Sequence, residues 1–246
     1  MRKTWRGKLA LALVVAGAAV CAAAANRAAL WQIVHDECLA HAQAGQGPAP
    51  CAAVETGQGA AKGWAILKDR RGELQFLLIP TARMGGIESP ELLAPGATNY
   101  FAEAWRARRF VNQRRGREVP RQAMSLTINA QDGRTQDQLH IHIDCVRADV
   151  RRRLRELPAE GAQWRSVRLP GWAGGREYRV KRVAGEELEV NPFALVAREA
   201  PGAREKMGEH SIAIVGAEPS GFYLLDTQGD HAHAEDLQDH EECVVE

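Results

Sequence analysis

The residues of this chain best suited to chemistry lie in one run, Thr135-Gln136-Asp137-Gln138-Leu139-His140-Ile141-His142-Ile143-Asp144-Cys145. From Gln138 onward polar and apolar residues alternate, which is the period of a β-strand with one buried face. That spacing puts Gln138, His140, His142 and Asp144 on one face, with Leu139, Ile141, Ile143 and Cys145 on the other. Two imidazoles so placed could be metal ligands, with Asp144 as a third. Cys145 could be a nucleophile with a histidine as its base, but the alternation points its thiol away from both rings. An imidazole could also attack phosphorus itself. Its reference pKa of about 6.5 leaves it largely neutral near pH 7, so it needs little activation.

Such a strand needs neighbours, and the flanking sequence supplies them. Met124-Ser125-Leu126-Thr127-Ile128 reads as a strand ending at Asn129, and Gln131-Asp132-Gly133-Arg134 are turn formers leading to Thr135. Trp64-Ala65-Ile66-Leu67 and Leu74 to Ile79 read as a hairpin across the charged turn Lys68-Asp69-Arg70-Arg71-Gly72. Ala29, Leu30, Ile33 and Val34 suit an amphipathic helix from Asn26 to Cys38. Ser89 is placed to cap a helix begun by Pro90 and Glu91. A longer helix is expected from Thr98 to about Arg115, with Tyr100, Phe101, Ala104, Trp105 and Arg108 on one stripe that reads as core. Its arginines (106, 108, 109, 114, 115, with 117 beyond) read as a solvated basic face.

Beyond the central run, Asp149 to Leu157 reads as a basic helix, and Pro192 to Met207 is expected to hold a short helix with Pro201 near its start or at a break. Tyr178 to Val183, Ser211 to Val215 and Phe222 to Leu225 read as strands, so the second half repeats the strand–helix–strand rhythm of the first without a clear sequence repeat. The tail carries His231, His233, Glu235, Asp236, Asp239 and His240. A metal site is one reading of these, but so polar a segment is expected to be solvated surface.

With 246 residues, 45% of them hydrophobic, the chain can bury a full core. A formal net charge of +1 nominates neither nucleic acid nor an acidic partner. Residues 1–25 read as a targeting segment, since Arg2, Lys3, Arg6 and Lys8 precede an uncharged apolar run, which places the rest of the chain outside the cytoplasm. That run is short for a membrane span, so cleavage after residues 22–25 is one outcome. Cys21 follows Val20, where a lipoprotein signal wants a small residue. The other four cysteines suit an oxidising compartment and allow three pairings. The expected ones are Cys38 with Cys51, closing a Gly/Pro loop, and Cys145 with Cys243, tying the tail behind the histidine strand. Four free thiols are the alternative.

Gln138-Leu139-His140-Ile141-His142-Ile143-Asp144 resembles the histidine-triad motif, in which three histidines alternate with apolar residues. The resemblance implies His140 as nucleophile, His142 as the third histidine, and Thr135 and Asn129 as phosphate and substrate contacts. Gln138 stands where the first histidine is usual, and an amide bonds but cannot titrate. Longer runs resemble the bacterial CDP-diacylglycerol pyrophosphatases: Leu30-Trp31-Gln32-Ile33-Val34 with Cys38 and Pro48-Ala49-Pro50-Cys51, Leu67-Lys68-Asp69-Arg70, Leu78-Ile79-Pro80-Thr81-Ala82-Arg83 with Glu88-Ser89-Pro90, and Asp239-His240 before Cys243.

This resemblance implies an α+β fold: a histidine-triad-like antiparallel sheet with flanking helices, an N-terminal membrane anchor (1–28) and a catalytic domain (29–246) whose C-terminal α/β extension packs on the core. It implies hydrolysis of CDP-diacylglycerol to CMP and phosphatidate through a nucleotidyl-histidine, with His140, His142 and Gln138 catalytic and Thr135, Asn129, Lys68 and Asp69 binding substrate. It implies no required cofactor, although a divalent cation could accompany the diphosphate, and no nucleic-acid partner. It favours a retained single-pass anchor in the bacterial inner membrane with the domain in the periplasm; a cleaved, free periplasmic domain is the alternative. Competing functions are hydrolysis of soluble nucleoside diphosphate derivatives or dinucleoside polyphosphates, and nucleotide or metal binding without turnover.

Overall fold

The computed structural model describes residues 26–158, 163–171 and 174–245. The expected targeting segment, residues 1–25, lies outside them. Among the described residues no helix is long and apolar enough to cross a membrane.

Strand-forming runs of β-branched and aromatic residues join into one antiparallel sheet. Its strands are β1 (Ala53–Glu55), β2 (Trp64–Lys68), β3 (Phe76–Pro80), β4 (Met124–Ile128), β5 (Ile141–Val146), β6 (Arg165–Leu169), β7 (Arg176–Val183), β8 (His210–Gly216), β9 (Phe222–Gln228) and the two-residue β10 (Gln238–Asp239). The order across the sheet is β1-β2-β3-β5-β4-β8-β9-β7-β6. Strand β10 lies off this path, pairing with the end of β5 beyond the reach of β3.

Two units of like topology make up this sheet. A hairpin (β2–β3), a helix and a second hairpin (β4–β5) run in spatial order 2-3-5-4; β6–β7, a helix and β8–β9 run 6-7-9-8. The β4–β8 pairing joins them. The C-terminal half packs into the main core as expected, and it does so by extending the sheet edge to edge. The reason is that β8 is apolar on both faces and fills the open edge of β4.

One sheet face carries the main core. Leu139, Ile141, Ile143 and Cys145 pack there with Leu126, Ile212, Ile214 and Leu224 beneath the helices that cross between hairpins. The first of these is Tyr100–Ala107, continued after a break at Arg108 by Arg109–Arg115. The expected stripe is core as read: Tyr100, Phe101, Ala104 and Trp105 are buried, and the Arg108 guanidinium lies 4.4 Å over the Trp105 ring. The second is Pro192–Glu199. Both helices begin at an asparagine: Asn99 Oδ1 accepts from Ala102 N and Asn191 Oδ1 accepts from Phe193 N. Ser89, expected as a cap, makes no capping bond to the 3-10 turn Pro90–Leu93; its Oγ accepts from Gly86 N instead.

The other sheet face is divided into three zones. Over β2 and β3 lies the N-terminal helix, Ala29–Gln32 continuing through a wider turn at Ile33–Leu39 to Ala40–Gln43, sealed by the Cys38–Cys51 disulfide. Over β6 to β9 lies the basic helix Ala148–Arg155, with Val150 and Leu154 among the apolar side chains of those strands. Between these zones, β4 and β5 present Ser125, Thr127, His142 and Asp144, all buried, beneath the chain's tail.

Candidate active site

Strand β5 begins only at Ile141, so Gln138 and His140 sit on its lead-in rather than within it. This lead-in is bonded to the segment after β3. Leu139 N donates to Met84 O, Gln138 Nε2 donates to Pro80 O and Ala82 O, and Gln138 Oε1 accepts from Met84 N. The Gln138 side chain is thus occupied with main chain at every polar atom and fully buried. Its expected place on the substrate is corrected: it holds the 80–84 segment.

The backbone of Gln138 does reach the chemistry. His140 Nδ1 lies 2.7 Å from Gln138 O. A carbonyl can only accept, so Nδ1 carries the proton and the Nε2 lone pair is left bare. Burial, and then the neighbouring His142, push the His140 pKa down to about 4. His140 is therefore a neutral base across the whole neutral range. The His142 ring lies 4.9 Å away, tilted 63°.

His142 is held from behind. Gln75 Nε2 donates to its Nδ1, which leaves the proton on Nε2. That Nε2 is buried without a partner, as is Gln75 Oε1. On the same side lies Glu235, its Oε1 3.5 Å from His142 Nδ1 and its Oε2 accepting from Asn129 Nδ2 at 3.0 Å. Burial would raise the Glu235 pKa, but His142, the Asn129 bond, His240 and Gln75 outweigh it and hold the carboxyl to about 2. Asp144 turns away from the rings, accepting from His240 Nδ1 at 2.9 Å and from Cys145 N at 2.8 Å. Burial opposes a charged His240, yet the Asp144 bond outweighs it and raises the His240 pKa. With Asp144 so engaged, the strand offers the imidazole pair no carboxylate as third metal ligand. Among the described residues no group of three histidine, cysteine or acidic side chains is arranged to hold a metal.

The tail was expected to be solvated surface, and here the structure differs. Ala232, Ala234 and Leu237 are buried, Glu235 and His240 face the histidine strand, and the Cys145–Cys243 disulfide fastens the end beside Asp144. The expected pairings of all four cysteines, 38 with 51 and 145 with 243, are those observed. Gly133 lets the tail lie close. A Cβ there would come within 2.7 Å of Ala232 O and 2.8 Å of His233 Cδ2.

His140 and His142 open into a cavity of about 290 Å³. Thr135, Asn129, Lys68 and Asp69, the expected substrate contacts, all line it, and Gln138 does not. Lys68 Nζ is spent on Asp69 O and Gly72 O, which shapes the hairpin turn, whereas Arg70 and Arg71 are exposed at the rim. Ala29, Leu30, Ile33, Leu67 and Leu77 supply an apolar wall. The helix bearing three of these is clasped to the loop before His140. Arg27 makes two bonds of 2.7 and 2.8 Å to Asp137, and Leu30 N donates to Gln136 Oε1. Arg134 completes the clasp through a paired bond to Glu88. Three wider clefts, about 760, 570 and 450 Å³, contain neither histidine of the pair, so size alone does not mark the site.

Sequence reasoning missed Gln75 and the roles of Glu235 and His240. Gln75 sits inside an apolar run at a hairpin, and only its interruption of Leu74–Phe76 could have drawn notice.

The chain matches the family model for CDP-diacylglycerol pyrophosphatase over residues 25–246. It is also 46% identical over 224 residues to a Yersinia pestis protein named CDP-diacylglycerol pyrophosphatase, an alignment covering 87% of this chain and 84% of that one.

Proposed function

The chain belongs to the CDP-diacylglycerol pyrophosphatase family, and from that premise we propose that it hydrolyses CDP-diacylglycerol to CMP and phosphatidate with His140 as nucleophile. His140 Nε2 attacks the nucleotide-linked phosphorus. A P–N bond forms, the bond from that phosphorus to the bridging oxygen breaks, and phosphatidate departs with the electron pair. Water then attacks the cytidylyl-histidine, the P–N bond breaks, and CMP leaves as the water gives up a proton. Splitting one displacement into two, with reacting atoms fixed in line, is the gain of covalent catalysis.

The observation that carries this reading is the Nδ1–H of His140 bonded to Gln138 O, on a ring held neutral. It frees Nε2 to attack, and it steadies the positive charge the ring acquires once phosphorylated. Because the bond uses main chain, glutamine in place of the usual first histidine leaves it intact. His142 Nε2–H, orphaned in the cavity wall, is the donor for a non-bridging oxygen, joined by Thr135 and Asn129. The apolar wall beside them supports a lipid substrate over a soluble nucleotide. The motif around His140 and His142 supports kinship with the histidine-triad superfamily. Residues 1–25 are proposed to anchor the chain in the inner membrane with this domain in the periplasm, the N-terminal helix leading straight to the cavity. Imidazole replaces an activated water as nucleophile, so the reaction is expected to survive EDTA. Incubating the protein with CDP-diacylglycerol in detergent and following CMP tests the assignment. His140→Ala should release none while keeping both disulfides and its thermal midpoint, and full activity in that variant would refute it.

A further inference from the structure

A carboxylate beside a phosphate site needs a reason, because it repels the substrate it adjoins. Glu235 is such a group: half-buried, ionised and on the cavity wall. Its Oε2 is fixed by Asn129 Nδ2 at 3.0 Å, and its main-chain N donates to Asn129 Oδ1 at 3.2 Å. Its Oε1 lies between two imidazoles, 3.5 Å from His142 Nδ1 and 3.7 Å from His240 Nε2. Asp144 accepts from the far side of His240. Acid and imidazole thus alternate along Asp144, His240, Glu235 and His142, and the series ends at the cavity.

The two unpartnered atoms around His142 fit one role for this series. Its Nε2–H has nothing to donate to, and Gln75 Oε1 has nothing to accept. A phosphoryl oxygen in the cavity would satisfy the first. A carboxylate behind Nδ1 stabilises positive charge on the ring, and a positively charged ring donates a stronger Nε2–H bond as charge grows on the phosphoryl oxygen in the transition state. A half-turn of the Gln75 amide would offer Oε1 to the same edge of the ring.

We propose that Glu235, delivered by the C-terminal tail, is a positioning residue that backs His142 and strengthens its hydrogen bond to the phosphoryl group in the transition state. This rests on the reading of His140 as nucleophile and goes beyond it by bringing the tail into the reaction. Glu235→Gln keeps the shape and the Asn129 contact while removing the charge. It should slow formation of the cytidylyl-enzyme about 10- to 100-fold, measured by rapid quench with cytidine-labelled substrate. KM should stay within about threefold, with both disulfides and the thermal midpoint unchanged, and Glu235→Asp should recover part of the rate. Wild-type labelling rates in Glu235→Gln, or a loss confined to KM, would overturn the proposal while leaving label on His140. Absence of label on wild-type His140 would overturn the nucleophile assignment itself, and this inference with it.

Discussion

The two halves of the sheet share one strand order and differ on one face. In β4 and β5 that face holds Ser125, Thr127, His142 and Asp144; in β8 and β9 it holds Ala213, Val215, Tyr223 and Leu225, with the polar Ser211 and Thr227 only at one end. The second set needs only a lid, which the Ala148–Arg155 helix provides. Polar groups taken out of water cost stability unless bonded, so the first set needs specific partners, and the tail and Gln75 bring them. What separates a core from a candidate catalytic surface here is the filling of one sheet face, with the backbone held common.

The sharpest test of this contrast crosses the two halves. His140→Ala should abolish turnover with little loss of stability. Leu225→Ala, in the filled half, should cost about 2–5 kcal/mol of folding stability while each folded molecule keeps its turnover number. Equal damage to activity from both would break the comparison.

Next come the two disulfides, which close loops of 98 and 13 residues by sequence separation. Chain entropy assigns the longer one about 4–5 kcal/mol and the shorter about 3. Replacing Cys145 and Cys243 by serine should lower both the denaturation midpoint and kcat, because it loosens Glu235 and His240. Replacing Cys38 and Cys51 should lower mainly the midpoint. A Cys145/Cys243 variant with undiminished kcat would remove the tail from the account.

Gln138→Ala probes the residue whose side chain and main chain part company. Leaving Met84 N and two carbonyls unpaired should cost about 1–3 kcal/mol, read by denaturant titration, with kcat reduced far less than by His140→Ala. An effect on kcat as large as that of His140→Ala would return the side chain to the substrate.

The smallest expected effect is on pH dependence. A histidine pKa lowered to about 4 means the attacking base survives acidification, so kcat/KM should stay level from pH 7 to about 5 and fall only near pH 4. The stability linkage has the matching sign. Between the unfolded histidine value of about 6.5 and 4, the unfolded chain binds a proton that His140 in the folded chain refuses, so acidification costs stability in that window. An acid limb near 6.5 would mean His140 is less shielded than the structure shows.

Much of this was legible in the sequence, and the rest failed for identifiable reasons. The alternation from Leu139 to Cys145 separated the side chains packed in the core from those on the opposite face, because a pleat leaves a side chain only two directions. It misjudged Gln138, because alternation gives a side chain's direction but not its partners, and this amide is bonded to the main chain of residues 80–84. The tail was misread because composition reports polarity without partners, and Glu235 finds Asn129 across 106 residues of chain. The likeness of the halves was legible only as a repeated strand–helix–strand rhythm, because they share topology while most side chains on the distinguishing face differ.

The most direct test is to quench the full chain during turnover of cytidine-labelled CDP-diacylglycerol and map the label by peptide mass. The account predicts an acid-labile, alkali-stable phosphoramidate on His140, formed at least as fast as CMP appears. CMP release with no label on that side chain at any time would contradict it.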